Sequence, residues 1–194
     1  MAKIELHPLP PFLPVNAKLL MLGSFPPPKN RWKMDFYYPN LQNDMWRIFG
    51  LVFFQNKDYF LLANKKSFNQ ALIEDFLREK GVALSDTASS VVRLRENASD
   101  KFLEIVEKVD LEKILRLMPE CNTIVTTGEK AAETLLSIVS PAVGIPSPGS
   151  FVKVNYRNKN LTIWRMPSSS RAYPKPLEEK AEVYRSMFQS AGLI

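Results

Sequence analysis

Histidine and cysteine are almost absent from this chain, which has one His (His7) and one Cys (Cys121) in 194 residues. A lone thiol forms no internal disulfide and suits a reducing compartment. One His and one Cys cannot fill a zinc tetrad or hold an iron–sulfur cluster. Histidine-dependent nucleophilic catalysis would have to use His7, a poor candidate in a proline-rich arm. Any enzyme chemistry is therefore expected to run without histidine. Long apolar runs are missing as well. Leu19–Leu22 and Leu51–Phe54 fall far short of the ~20 residues of a membrane span. Met1–Val15 has four prolines and no apolar core region, so it does not read as a signal peptide. A soluble, cytoplasmic protein is expected. What the chain does have is positive charge, with 26 Lys and Arg against 20 Asp and Glu and a net +6. A basic balance favours an anionic partner such as nucleic acid or phosphate, although charge alone names none.

The pattern along the chain alternates strands and helices. Pro8–Pro14 reads as an extended arm, because proline fixes φ and removes a donor. Residues 1–16 are assigned to this arm and 17–194 to a single domain. Lys18–Leu22 is a continuous apolar run entering a turn at Gly23-Ser24-Phe25-Pro26, the signature of a buried strand ending in a loop. Helices are expected over Asp44–Val52 and over Ser67–Lys80, the latter capped by Ser67 and stopped by Gly81. Val82–Leu84 is a short strand leading into Ser85-Asp86-Thr87. A short helix is expected within Asn97–Val109, then one capped by Asp110. Thr123–Thr127 reads as a strand, followed by a helix from Gly128 to about Val139. Val152–Tyr156 and Leu161–Met166 read as strands joined by a turn at Arg157–Asn160. Leu177–Ala191 reads as the final helix. This alternation predicts an α/β sheet, mostly parallel, with a ligand crevice at the carboxyl ends of its strands. Three loops leave those ends: Gly23–Lys33, Ser85–Ser90 and Pro167–Tyr173.

The first loop carries Trp32, Phe36, Tyr37 and Tyr38 beside Asn40, Gln42 and Asn43, interleaved with Lys29, Arg31, Lys33 and Arg47. Aromatics can stack on a base and amides can read its edge. The same residues serve equally as core and turn formers. Pro167-Ser168-Ser169-Ser170-Arg171 follows a strand and precedes a helix, so its hydroxyls, N–H groups and Arg171 suit a phosphate, or simply a capping loop. No glycine-rich phosphate loop, HExxH or GxSxG sequence is present. Cys121 reads as a small packed residue.

Taken together, four segments resemble the uracil-DNA glycosylase superfamily. They are Gly23-Ser24-Phe25-Pro26, Tyr37 to Trp46, Gly81 to Asp86, and Met166 to Ser170. Their order and spacing are most similar to the hypoxanthine (deoxyinosine) and mismatch-specific uracil DNA glycosylase branches, from about Leu19 to Phe188. The resemblance implies a three-layer α/β/α sandwich around a central four-stranded, mainly parallel sheet. It also implies a monofunctional DNA N-glycosylase of base excision repair that flips out and excises hypoxanthine or uracil. It implies Asn43 as the catalytic residue, Gly23, Ser24, Phe25 and Tyr38 against the base, and Pro167, Ser168, Ser169, Ser170 and Arg171 on the DNA backbone. The partner would be DNA containing deaminated bases, bound by a monomer without metal, cofactor or membrane. The chain departs from the family pattern at several places. Phe25 stands where many branches hold Asp or Asn, Pro27 where Gly is usual, and Asn40-Leu41 where His-Pro is usual. Asp44 and Asp86 are the nearest alternative carboxylates. Two further readings stay open: an inactive relative that binds DNA or nucleotides, and a nucleoside hydrolase on an unrelated α/β sheet.

Overall fold

A computed structural model describes residues 3–95 and 100–194. The apolar run after Lys18 becomes β2 (Leu19–Gly23), buried at all five positions. A strand covered on both faces has no polar alternation, which is why it reads as continuous. It lies between β3 (Val82–Asp86) and β6 (Thr123–Thr127), parallel to both. Beyond β6 come β8 (Lys159–Met166), parallel, and β7 (Ser150–Tyr156), antiparallel at the edge. The sheet order is β3-β2-β6-β8-β7. The sheet therefore has five strands where the resemblance implies four; the parallel part alone has four. The edge hairpin is tighter than the sequence suggests. Its turn is only Arg157-Asn158, both with positive φ (48° and 64°), the backbone that two-residue hairpin turns require.

Side chains alternate across the sheet into two apolar clusters. Leu19, Met21, Val82 and Leu84 pack with α1 (Met45–Phe54), α2 (Gln70–Lys80) and α5 (Leu177–Ser190). Leu20, Leu22, Ala83 and Ile124 pack with α3 (Leu111–Leu117) and α4 (Glu129–Val139). The first cluster is strongly aromatic. Trp46, fully buried, donates its indole N–H to the Tyr37 carbonyl at 3.1 Å, so its burial leaves no orphan donor. Cys121 is buried in the second cluster, where burial pushes its thiol up to about 11.

Three local readings are corrected. Helix α2 starts at Gln70, and its cap is Asn69, whose side chain accepts from the Leu72 N–H, rather than Ser67. Ser85–Ser90 is not a loop: β3 runs through Asp86, and after Thr87 the chain enters β4 (Ala88–Arg93). The helix expected within Asn97–Val109 is replaced by a 3-10 turn at Asp100–Phe102 and a strand, β5 (Leu103–Lys108), while residues 97–99 lie outside the described residues. Leu103 and Ile105 face inward against Phe25 while Glu104 and Val106 are more exposed, a period of two that competes successfully with helix formation.

The N-terminal arm is pinned down. Its β1 (Ile4–Leu6) pairs with β4, giving a second, antiparallel sheet ordered β1-β4-β5. Farther on, Phe12 exchanges two backbone hydrogen bonds with Leu84, each 2.9 Å. Among the described residues, no helix is long and apolar enough to cross a membrane.

Candidate functional site

The carboxyl ends of the four parallel strands open into one cleft of about 710 Å³. Gly23 and Asp86 are register partners at the ends of β2 and β3. Thr127 ends β6, and Ser168 follows β8. All four residues line the cleft. β2 and β6 are neighbours, yet the chain leaves β2 for helices α1 and α2 on one face of the sheet and leaves β6 for α4 on the other, the arrangement that opens a crevice in a parallel sheet.

The sequence-derived residues fall as follows. Gly23, Ser24 and Phe25 line the cleft, as do Tyr38 and Asn43 and the loop residues Ser168, Ser169, Ser170 and Arg171. Pro167 instead lines an adjoining hollow with Lys101, Lys130 and Arg165. Of the aromatic cluster, Phe36 belongs to the core, Tyr37 is buried but reaches the cleft wall, and Tyr38 is half-buried at the cleft. Tyr38 holds a left-handed backbone (φ 51°), which costs a non-glycine residue energy and is retained where the surroundings enforce it. Its hydroxyl meets the Thr127 hydroxyl at 3.1 Å, and its ring stands edge-on to Trp46, so the ring is fixed from both ends. Burial, and then the Asp86 charge, push the phenol up, so Tyr38 stays neutral.

Asn43 is partly committed. Its Oδ1 accepts the N–H of Met45, the first residue of α1, at 2.9 Å, so the amide N–H₂ remains as its donor. The last loop is stitched onto this segment. Asn43 and Ser170 form an isolated bridge, and Asp44 N–H donates to the Ser169 carbonyl at 2.8 Å. Ser168 and Ser170 hydroxyls accept from the N–H groups two residues on, at 3.2 Å each, which shapes the loop from within. Asp44 lies behind the loop and does not line the cleft. Its carboxylate binds Arg171 at 2.9 Å, the buried Lys180 at 3.6 Å and Arg47 at 3.8 Å. Burial lowers the Lys180 amine against the opposing pull of Asp44. Asp44 is thus a structural anion, unavailable as a base, and it holds Arg171, whose half-exposed guanidinium reaches the cleft rim.

Four groups at or beside the cleft were not selected from sequence: His7, Asp100, Lys101 and Thr127. His7 Nε2 lies 2.8 Å from Asp86 Oδ2, with Asp86 buried and His7 largely so. Burial draws the imidazole down, but the hydrogen bond to Asp86, its charge and the Leu9 carbonyl together raise it above 6.5. Asp100 lines the cleft from the start of the 3-10 turn. Burial raises its carboxyl above the ordinary range, the Ser24 hydroxyl opposes this, and the Asp86 charge adds to it. Asp86 and Asp100 are thus two carboxyls lining one cleft, the first on His7 and the second raised by burial. Thr127 was readable as the end of a strand. Asp100 and Lys101 sat inside a segment read as helix, and nothing in the sequence tied His7 to Asp86, 79 residues away. Among the described residues, no cluster of three or more His, Cys, Asp or Glu could hold a metal ion.

No protein-family model and no curated protein matches the chain. Among solved structures, it is similar to the solution structure of a candidate uracil DNA glycosylase from Methanosarcina acetivorans, with 23% identity over 95% of this chain and 99% of that chain and a TM-score of 0.61. At that identity the likeness is one of fold: this chain shares, over nearly its full length, the α/β architecture of that protein.

Proposed function

We propose that the chain is a DNA glycosylase that takes a deaminated base, hypoxanthine or uracil, out of the DNA stack and hydrolyses its N-glycosidic bond. In this reading residues 17–194 form one three-layer α/β/α domain that works as a monomer in base excision repair. One observation carries it. The four sequence segments that resemble the glycosylase superfamily lie far apart in the chain, yet their residues meet in a single cleft. The likeness of fold to the Methanosarcina protein agrees with it.

The chemistry fits the groups present. Tyr38 offers a fixed aromatic face for the extruded base, and base–aromatic stacking is worth about 1–3 kcal/mol. Cleavage builds negative charge on the departing base, and the free N–H₂ of Asn43 can donate to it more strongly in the transition state than in the ground state. Hypoxanthine and uracil both carry carbonyl oxygens suited to that donor. Ser168, Ser169, Ser170 and Arg171 would grip the backbone, with Arg31 and Lys101 adding positive charge along the rim. The test is a panel of duplexes carrying one uracil, hypoxanthine, xanthine or mismatched thymine, scored for abasic sites by alkaline strand cleavage. Release of hypoxanthine or uracil is expected, and Asn43→Ala should reduce it sharply. Failure to release any of these bases would overturn the reading.

A second reading has its own observation. One lone pair of the Asn43 amide oxygen is already taken by the Met45 N–H, an amide is no general base, and Phe25 leaves the first turn without a carboxylate. Salt-dependent binding of DNA without base release would mark the chain as a binding module of this fold.

A further inference from the structure

We propose that Asp86, held through Oδ2 by His7, is the catalytic carboxylate of the cleft, with Oδ1 accepting the proton of the attacking water and His7 acting as its positioning residue. This rests on the glycosylase reading and supplies the base that the first turn lacks.

The other candidates are spent. Phe25 occupies the first turn and packs edge-on against the His7 ring at 5.2 Å. Asn43 is an amide, no general base, and its oxygen already accepts the Met45 N–H. Asp44 is neutralised by three cations behind the loop. Asp100 is held toward its protonated form by burial. Asp86 remains. It ends β3 level with Gly23, and its Oδ1 occupies the space where a side chain at residue 23 would begin, 2.3 Å from an ideal Cβ. The Tyr38 hydroxyl lies 3.7 Å from the same point. Among the described residues Oδ1 has no hydrogen-bond partner, while Oδ2 is fixed on His7.

His7 is built to hold this carboxylate in either protonation state. Its backbone N–H donates to the Ser89 carbonyl at 2.8 Å, which sets the arm against β4. Its ring lies between Phe25 and Tyr37. Nδ1 faces both the Leu9 carbonyl at 2.8 Å and the Leu9 N–H at 3.2 Å. The imidazolium donates to the carbonyl; the neutral ring accepts from the N–H. Nε2–H stays on Asp86 in both states, so the carboxylate keeps its orientation when the charge of the ring changes.

In the reaction the C1′–N bond breaks with its electron pair leaving on the base. The water oxygen bonds to C1′, its proton passes to Asp86 Oδ1, and the departing base anion takes up the proton that Asp86 then releases. Loss of the His7 proton leaves the pair net negative beside a cationic sugar. That favours the transition state, so cleavage should accelerate as His7 deprotonates. The titratable groups around the pair are Tyr37 on the ring, Tyr38 and Asp100 in the field of Asp86, and Arg93 behind Phe25. Burial keeps both tyrosines neutral, so Asp100 is the group whose titration must be separated from that of His7.

The experiment is single-turnover cleavage of a uracil or hypoxanthine duplex between pH 5 and 9, with NMR titration of His7, whose signals are unambiguous because it is the sole histidine. In the wild type the rate should rise through the pH at which His7 titrates. Asp86→Asn should slow cleavage by about 10²–10⁴-fold, the usual contribution of a general base, with duplex affinity retained, and should shift the His7 titration downward. His7→Gln should lose the pH-dependent rise, while Asp100→Asn should keep it. An Asp86→Asn rate close to wild type, a rise that survives in His7→Gln, or a His7 titration indifferent to Asp86→Asn would each overturn the assignment while leaving the glycosylase reading intact. A wild type that releases no base overturns that reading and the assignment with it.

Discussion

Gly23→Ala tests the packing of the site at a single atom. Gly23 is not required for its φ; its backbone is ordinary, and what it provides is space. A Cβ there would lie 2.3 Å from Asp86 Oδ1, inside the 3.0 Å that real Cβ contacts essentially never breach. The carboxylate would have to retreat by about 0.7 Å to reach 3.0 Å, or about 1.1 Å for ordinary contact. It has little freedom to do so, because Oδ2 is tied to His7 at 2.8 Å and the Cα of residue 86 is locked in the sheet opposite residue 23. Overpacking of this kind costs about 1–3 kcal/mol of stability. A displacement near 1 Å at a reacting group lowers catalysis by about 10²-fold. Urea unfolding reads the first quantity and single-turnover cleavage the second. Gly144→Ala is the control, since nothing lies within 4 Å of its ideal Cβ; it should stay within about 0.5 kcal/mol of wild type. A Gly23→Ala protein with wild-type stability, rate and His7 titration would refute the reasoning, because the carboxylate would then have room that the structure denies it.

Asp44→Ala should destabilise the fold by about 3–5 kcal/mol in urea unfolding, because Lys180, only 1% exposed, loses its anion; replacing Lys180 by Met in the same protein should recover part of that loss. Asn69→Ala removes the acceptor for the Leu72 N–H at the start of α2 and should cost about 1 kcal/mol, whereas Ser67→Ala should leave the cap intact. Folding raises the His7 pKa, so its stabilising contribution is complete below the unfolded value of 6.5 and is lost as pH climbs through the folded value. The stability difference between wild type and His7→Gln, followed by urea unfolding from pH 5.5 to 8.5, should therefore shrink with rising pH; a difference that grows would contradict the pairing.

What sequence made legible divides along the two sheets. The parallel sheet is built from runs such as Leu19–Leu22 and Thr123–Thr127, buried on both faces, and from helices with one apolar stripe, and these patterns survive without knowledge of partners. The small antiparallel sheet gives no such signal. In β1 the apolar residues Ile4 and Leu6 point outward, 53% and 74% exposed, while Glu5 faces in and meets the Arg93 guanidinium at 3.2 Å. In β4 the register shifts between Ala88 and Val91, so its buried positions do not alternate. A reading based on period finds neither strand. The consequence reaches the site. His7 looked stranded in a proline-rich arm because the strand that delivers it is inverted in polarity, and Asp86 looked like a loop residue because the strand that follows it is bulged. The segments that resemble the glycosylases pointed to the cleft, but the pair inside it depends on a contact between two elements that local pattern could not reveal. The fold sets the one histidine of the chain on a cleft-lining carboxylate, with its backbone N–H on the Ser89 carbonyl and its Nδ1 against the main chain of Leu9. Because Nε2 faces Asp86 whichever Leu9 contact Nδ1 makes, the contact between ring and carboxylate survives both protonation and deprotonation of the imidazole.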